Sequence, residues 1–355
     1  MIERLEQGSG RLQTPVYILQ SGSVVGTKEG QGPLGELFDS VGKDDLFGEA
    51  DWEEAESALQ KKAVELALAK ANVEEKEIDV LYSGDLLGQG IASSFGIADY
   101  HIPYMGLYGA CSTCGEALIL GCEAIESGLA NRAVCVTSSH FASAEKEFRF
   151  PLDYGNQRPL SATWTVTGSA AFVLGNERAA EQYKKDLTSV VSGGYRRPRA
   201  KITGFTVGKI VDFGLKDSMN MGPCMAPAAA DTILRHFADF DTSPAKYDAI
   251  LTGDLGKVGR QVLIDLCLEK GYDISANHND CGMLLFDCEK QDVHSGGSGC
   301  GCSAVTLAAY VLKQLEEGKW KKVLFVPTGA LLSKVSFNEG RSVPGVAHAV
   351  VLETV

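Results

Sequence analysis

An internal duplication limits what this chain can fold into more than any other feature. The segment Ile78-Asp-Val-Leu-Tyr-Ser-Gly-Asp-Leu86 matches Tyr247-Asp-Ala-Ile-Leu-Thr-Gly-Asp-Leu255, and both are strand-like runs that open into a Gly-Asp-Leu turn. Farther along, Gly109-Ala-Cys-Ser-Thr-Cys-Gly115 leads through an Ala/Leu-rich stretch and Gly128 to the strand Ala133–Thr137. Gly297-Ser-Gly-Cys-Gly-Cys-Ser303 leads in the same way through Ala304–Leu315 and Gly318 to the strand Val323–Val326. Two matches in the same order mark a repeat, with extra residues between the two motifs of the second copy. The repeat divides the chain into a first half, residues 1–190, and a second half, residues 191–355.

Within each half, strand and helix patterns alternate. Asp51 and Glu54 form a capping-box pattern ahead of Trp52–Ala71, where Ala55, Ala58, Leu59, Ala63 and Leu66 recur on one face. Short apolar runs such as Ala170–Leu174 and Ala347–Leu352 read as strands. Alternation with short links implies sheets covered by helices on both faces. The helices after Cys111 and Gly299 differ from the rest. Ala117–Ala124 and Ala304–Val311 are small and apolar all round, so both should be buried. One buried helix per half predicts an α/β protein built as a five-layer α-β-α-β-α sandwich about a pseudo-twofold axis.

Composition narrows the function. With 355 residues and 45% hydrophobic side chains the chain can bury a large core. A net charge of −13 argues against nucleic acid and anionic lipid as partners. It leaves room for a small anion in a locally basic pocket. Ten cysteines show no compact disulfide spacing, and MIERLEQGSG at the start has no apolar leader core. Reduced thiols in a cytosolic-type, soluble protein are expected. The longest apolar stretches, such as Val305–Leu312, are too short to span a bilayer, so membrane association would be peripheral. His278, Cys281, Cys288, His294, Cys300 and Cys302 crowd together without a paired metal-ligand spacing, so no metal site is expected.

Cys111 is the first chemical candidate. It follows a Gly-containing turn and precedes a buried helix. The dipole and free N–H groups of a helix start lower a thiol pKa and hold an oxyanion, as acyl transfer requires. The position suits equally a small residue packed into a crowded turn, and local sequence leaves both readings open.

The Gly-Ala-Cys-Ser-Thr segment resembles the active-site elbow of thiolases and 3-oxoacyl carrier-protein synthases. The duplication, the run Gly296-Gly-Ser-Gly-Cys-Gly-Cys-Ser303 and Thr167-Gly-Ser-Ala-Ala-Phe-Val-Leu174 are similar to that thiolase-like fold across nearly the whole chain. Within the superfamily the chain resembles the stage V sporulation protein AD family of endospore-forming bacteria. The residues carrying this are Gly32-Pro-Leu-Gly35, Gly84-Asp-Leu-Leu87, Thr137-Ser-Ser-His140, Ala144-Glu145, Phe148-Arg149, Met225-Ala-Pro-Ala-Ala-Ala-Asp231, Asn277-His-Asn-Asp-Cys-Gly282 and Pro327-Thr-Gly-Ala-Leu-Leu332. The resemblance implies binding of dipicolinic acid (pyridine-2,6-dicarboxylate), with Ca2+ accompanying it, during uptake into the developing spore. It also implies a place in a membrane complex for dipicolinate transport at the spore inner membrane and, from the wider superfamily, a homodimer.

The alternative, an acyl-transfer enzyme using Cys111, needs two further polar groups from the second half. Where the resemblance places the first, a histidine, the chain has Gly253-Asp254-Leu255. An aspartate there opposes both a thiolate and a developing enolate. His294 lies near the place of the second, but Ser295 stands where thiolases carry proline. The expectation is therefore a binding protein and not an enzyme, without a cofactor of its own. A flat dianion needs N–H or cationic donors and a wall for its ring. Helix starts at Cys111 and Ser298 offer N–H groups. His140 follows a strand at the end where α/β sites collect. Arg149 and Lys209 are candidate carboxylate partners, and His278 and Asp280 candidate pocket-wall contacts beside Asp254. The basic run Tyr195-Arg-Arg-Pro-Arg-Ala-Lys201, near the junction of the halves, could steer an anion, dock a partner or serve as a solvated connector.

Overall fold

The computed structural model describes residues 1–148, 158–186 and 197–355. Arg149 and the expected boundary between residues 190 and 191 lie outside the described residues. The first half contributes strands β1 (Ser9–Val25), β2 (Val80–Gly84), β3 (Tyr104–Leu107), β4 (Arg132–Ser139) and β5 (Gly168–Gly175). The second contributes β6 (Ala200–Thr206), β7 (Ala249–Thr252), β8 (His278–Asp280), β9 (Lys322–Val326) and β10 (Ala349–Glu353). Their spatial orders are β1-β5-β4-β2-β3 and β6-β10-β9-β7-β8, the same permutation of chain order. Directions repeat as well. β2 runs parallel to β3 and β4, and β7 runs parallel to β8 and β9. The remaining pairs in each half are antiparallel. The duplication seen in two short motifs thus extends through the sheet. The sequence does not reveal that β1 and β6 pair antiparallel, which joins both halves into one hydrogen-bonded sheet.

Strand alternation builds the layers. On β4, Val134 and Val136 face an outer core with helix α1 (Trp52–Ala71), while Ala133 and Cys135 face the central core. On β9, Leu324 and Val326 face an outer core with helix α3 (Met221–Asp239), while Val323 and Phe325 face inward. The central core is filled by helix α2 (Thr113–Glu126) and by helix α5 (Cys300–Thr306), which continues through a π-helical turn at Leu307–Val311 into Leu312–Glu316. The order is helix, sheet, helix, sheet, helix, as expected for a thiolase-like sandwich.

Helix α1 shows how local sequence sets an element. The Asp51 carboxylate accepts the N–H groups of Glu53 and Glu54, both at 2.9 Å. Glu54 reaches back to the N–H of Ala50 at 3.2 Å, one residue before the position a capping box would use. Ala55, Leu59 and Ala63 are buried as the periodicity predicts, with Ala58 and Leu66 at the rim. Glu56 and Gln60 are also buried, which periodicity does not predict. Among the described residues, no helix is long and apolar enough to cross a membrane.

Candidate functional site

The turn before α2 is held by its own side chains. Ala110 takes a left-handed conformation, φ 49°, which a non-glycine residue adopts only under constraint. The hydroxyls of Ser112 and Thr113 supply it, donating to the carbonyls of Gly109 and Ala110, both at 2.6 Å. Gly109 N–H closes the turn onto Thr113 Oγ1 at 2.9 Å. The Pro327–Gly329 run of the second half lies against this turn. A Cβ on Gly329 would stand 2.6 Å from the Gly109 carbonyl and 3.0 Å from the Ser112 nitrogen. Cys111, 7% exposed, emerges into a small cluster with Leu86, Ala144 and Cys300.

The side chain opposite Cys111 is Asp254, fully buried in the turn after β7. Its Oδ1 accepts the Thr328 hydroxyl at 2.7 Å and its Oδ2 accepts the Gly299 N–H at 3.1 Å. The Cys111 thiol faces the same carboxyl, and the two shift each other's protonation. Burial pushes Asp254 up to about 7, against the pull of those hydrogen bonds. Burial, followed by the charge of Asp254, also holds Cys111 well above the ordinary thiol range. This reverses the local expectation that the helix start would lower the thiol. Burial, with a carboxyl beside the thiol, outweighs the partial charge of a helix terminus.

The repeat places Asp85 where the first half has its own Gly-Asp-Leu turn. Asp85 accepts the N–H of Leu87 at 2.8 Å and both the N–H and hydroxyl of Ser93, at 2.7 and 2.6 Å. Beside it Glu56 accepts the hydroxyls of Ser138 and Ser143 at 2.8 and 2.7 Å. The Gln60 amide donates to Ser93 and Ser138, which explains the second polar position on the buried face of α1. Burial, then the Asp85 charge, raises Glu56 to about 8. This network lies behind Cys300, whose thiol donates to the Ser138 carbonyl at 2.8 Å. Each half thus buries an acid at its Gly-Asp-Leu turn next to an elbow cysteine of the central layer.

The structure gathers Cys111 and Asp254 into one place, with Ser298 next in chain to Gly299. The Ser298 hydroxyl is buried and has no hydrogen-bond partner. The other candidates are engaged elsewhere. His140 is buried, with Nε2 2.7 Å from the Asp45 carbonyl and Nδ1 accepting the Ala142 N–H at 3.2 Å, so both nitrogens are used by backbone. Lys209 is half exposed and turns to Asp231 on α3, 3.6 Å away. His278 faces Thr252 at 3.1 Å, its pKa lowered to about 3 by burial and then by Arg260. Asp280 is a lock rather than a pocket wall. It accepts the Thr252 hydroxyl at 2.6 Å and the N–H groups of Leu255, Gly256 and Gly282 at 2.8, 3.0 and 3.1 Å. It thereby fixes the turn that presents Asp254. His294 is tied to the Pro159 carbonyl at 2.8 Å and to Asp292 at 3.2 Å. In the basic run, Tyr195 and Arg196 lie outside the described residues. Arg199 points inward, bonding Glu316 at 2.8 and 2.9 Å, Ser21 at 2.7 Å and the Ala308 carbonyl at 2.7 Å. That corrects the steering role for this residue, which stitches the halves together.

Sequence reasoning missed Thr328, Tyr108 and His348. Thr328 carries the partner hydroxyl of Asp254 and stood in view within Pro327-Thr-Gly, without a chemical signal of its own. Tyr108 is 49% exposed, and its hydroxyl is raised first by burial and then by Cys111. His348 lies against α2, 3.2 Å from where a Cβ on Gly115 would stand, and accepts the Gly208 N–H at 3.1 Å. Burial lowers it to about 4, so the ring is neutral.

The sequence model of the family described as Stage V sporulation protein AD (SpoVAD) matches residues 7–353. The Stage V sporulation protein AD of Bacillus subtilis (strain 168) is 42% identical over 339 residues, covering 96% of this chain and 94% of the relative. Among solved structures, human mitochondrial 3-ketoacyl-CoA thiolase in complex with CoA superposes with a TM-score of 0.60 at 12% identity, covering 97% of this chain and 99% of the thiolase. The 3-oxoacyl-[acyl-carrier-protein] synthase III from Aquifex aeolicus VF5 gives 0.55 at 13% identity, covering 95% and 99%. At such identities these two likenesses establish the thiolase-like fold.

Proposed function

The chain belongs to the stage V sporulation protein AD family, and from that membership we propose that it is a sporulation protein that binds dipicolinic acid without transforming it, during uptake into the developing spore. The observation that carries the non-catalytic part is the Cys111–Asp254 contact. A nucleophile for acyl transfer needs a neighbouring base or cation that favours the thiolate. Cys111 instead faces a buried carboxyl that favours the thiol. The binding face comprises Cys111, Asp254 and the unpartnered hydroxyl of Ser298. Ca2+ arrives with the ligand, and the protein works peripherally at the spore inner membrane with the other components of the dipicolinate-transport complex.

The protein acts as a homodimer, paired along β3. Tyr104 and Met105 on that edge are 40% and 53% exposed. The opposite edge, β8, is blunted: Arg260 donates to the His278 carbonyl at 2.9 Å, and Asn279 Oδ1 takes the Asp280 N–H at 2.8 Å.

One observation favours the acyl-transfer reading. The left-handed Ala110 turn sets Cys111 at the start of a buried helix, as a nucleophile elbow would. Calorimetry separates the two readings. Dipicolinate is titrated with and without Ca2+, against picolinate and benzoate as one-carboxylate controls and acetyl-CoA as competitor. The carrier reading expects saturable binding that needs both carboxylates and ignores acetyl-CoA. Acetylation of Cys111 by acetyl-CoA, with no dipicolinate binding, would replace it with the enzyme.

A further inference from the structure

The proposed ligand is a dianion at neutral pH, and Asp254 brings a carboxyl to the same place. Two carboxylates at contact in a buried site cannot both stay ionised. None of the leading influences on Asp254 is a cation. Around Asp254 stand the Cys111 thiol, the Thr328 hydroxyl and the Gly299 N–H, with the Asp280 carboxyl and the thiols of Cys281 and Cys302 behind them. Groups on hand that can donate include the unpartnered Ser298 hydroxyl, the Tyr108 hydroxyl near Cys111 and whatever proton the Cys111–Asp254 pair carries. A neutral Asp254 turns the repulsion into recognition. Its O–H is a strong donor to a carboxylate, and an acid–carboxylate bond is short and charge-assisted.

Resting on the dipicolinate reading, we propose that Asp254 meets one ligand carboxylate as a neutral acid, so that binding takes up a proton. Burial already holds this group at about 7. Below that pH the acid carries its proton before the ligand arrives, and affinity is flat. Above it, each further pH unit removes the competent form about tenfold, so the apparent Kd rises about tenfold per unit. A second carboxylate on the ligand finds Ser298, which is why a one-carboxylate analogue would bind less well.

The test is calorimetry of dipicolinate binding to the full chain in two buffers of different ionisation enthalpy. That comparison reads the protons taken up, needs no variant and is repeated at pH 6, 7 and 8. Uptake close to one proton is expected at pH 8 and nearly none at pH 6, with the Kd about fivefold weaker at pH 8 than at pH 7. Asp254→Asn keeps a neutral donor, so it should bind at pH 8 at least as tightly as the wild type, with no uptake and no pH dependence. Glu29 and Glu56 are buried acids held near the same range, each at about 8. Glu29→Gln and Glu56→Gln should therefore leave the uptake intact. Binding without proton uptake, or uptake that persists in Asp254→Asn, would overturn the role of Asp254. No binding at pH 6 or pH 8 would instead sink the dipicolinate reading on which it rests.

Discussion

At Cys111 burial and the neighbouring Asp254 carboxyl both favour the thiol, while the thiol in turn pulls Asp254 towards ionisation against its own burial. Thiolate is the reactive form, so iodoacetamide at neutral pH should alkylate Cys111 at least tenfold more slowly than a cysteine in an unstructured peptide. Peptide mapping by mass spectrometry reads this site apart from the other nine cysteines, and a rate matching or exceeding the peptide's would restore the activated nucleophile. Glu29 makes a second case. It is 1% exposed, with Oε1 accepting the Thr167 N–H at 3.0 Å and Oε2 unpartnered. Burial raises it from 4.5 to about 8. A raised acid favours the fold fully below its unfolded pKa and loses that contribution as pH climbs to the folded one. The window is therefore about pH 4.5 to 8, with a slope of at most ~1.4 kcal/mol per unit. Glu29→Gln keeps the acceptor for Thr167 and removes the ionisation. Its stability relative to the wild type, from urea unfolding at pH 5 and pH 8, should rise with pH; a constant difference would mean Glu29 does not titrate in that range. The Gln60–Ser138–Glu56 network could not be read from sequence, because period counting marks a buried face but not which polar side chains across it will satisfy one another.

Among the elements, helix placement depends on where backbones touch. Helix α3 crosses helix α4 (Gly256–Glu269) at two glycines. A Cβ on Gly222 would lie 2.1 Å from the Leu255 carbonyl, and one on Gly259 would lie 2.6 Å from the Gly222 carbonyl carbon. Neither glycine is used for its dihedral freedom; each marks a contact between main chains that no side chain can enter. Alanine usually improves a helix by about 0.5–1 kcal/mol over glycine. Here Gly222→Ala should instead destabilise by about 2 kcal/mol, the cost of overpacking a close contact. Thermal melts would show a lowered Tm, and an unchanged or raised Tm would mean the two helices separate cheaply. The α1 start was legible from Asp51 and Glu54, and the buried nature of α2 and α5 from their composition. The π-helical turn at Leu307–Val311 was not legible, since its residues carry no local signal that sets them apart from an ordinary helix.

For the whole molecule, the exposed edge at β3 is the one open end of a sheet that is otherwise paired or blunted among the described residues. Sedimentation velocity should find a dimer, and Met105→Lys should shift it towards monomer without changing the melt of the protomer. A wild-type monomer at micromolar concentration would remove the homodimer. The duplicated motifs, the alternation of strand and helix and the two helices apolar all round determined the five-layer sandwich, because burial of a whole helix is written into residue type; its thiolase-like character was legible from the resemblance of the Gly-Ala-Cys-Ser-Thr segment. Sequence also marked the Cys111 turn and showed that an aspartate stands where a histidine would be needed. Only the tertiary structure decided that Asp254 touches Cys111, that Thr328 and Gly299 hold it there, and that Asp280 and His278 serve the turn behind it. Those contacts join five separate stretches of chain across the seam. Their pairing is set by how the β1–β6 junction and the closely packed central helices bring the halves together, and no local spacing encodes that closure.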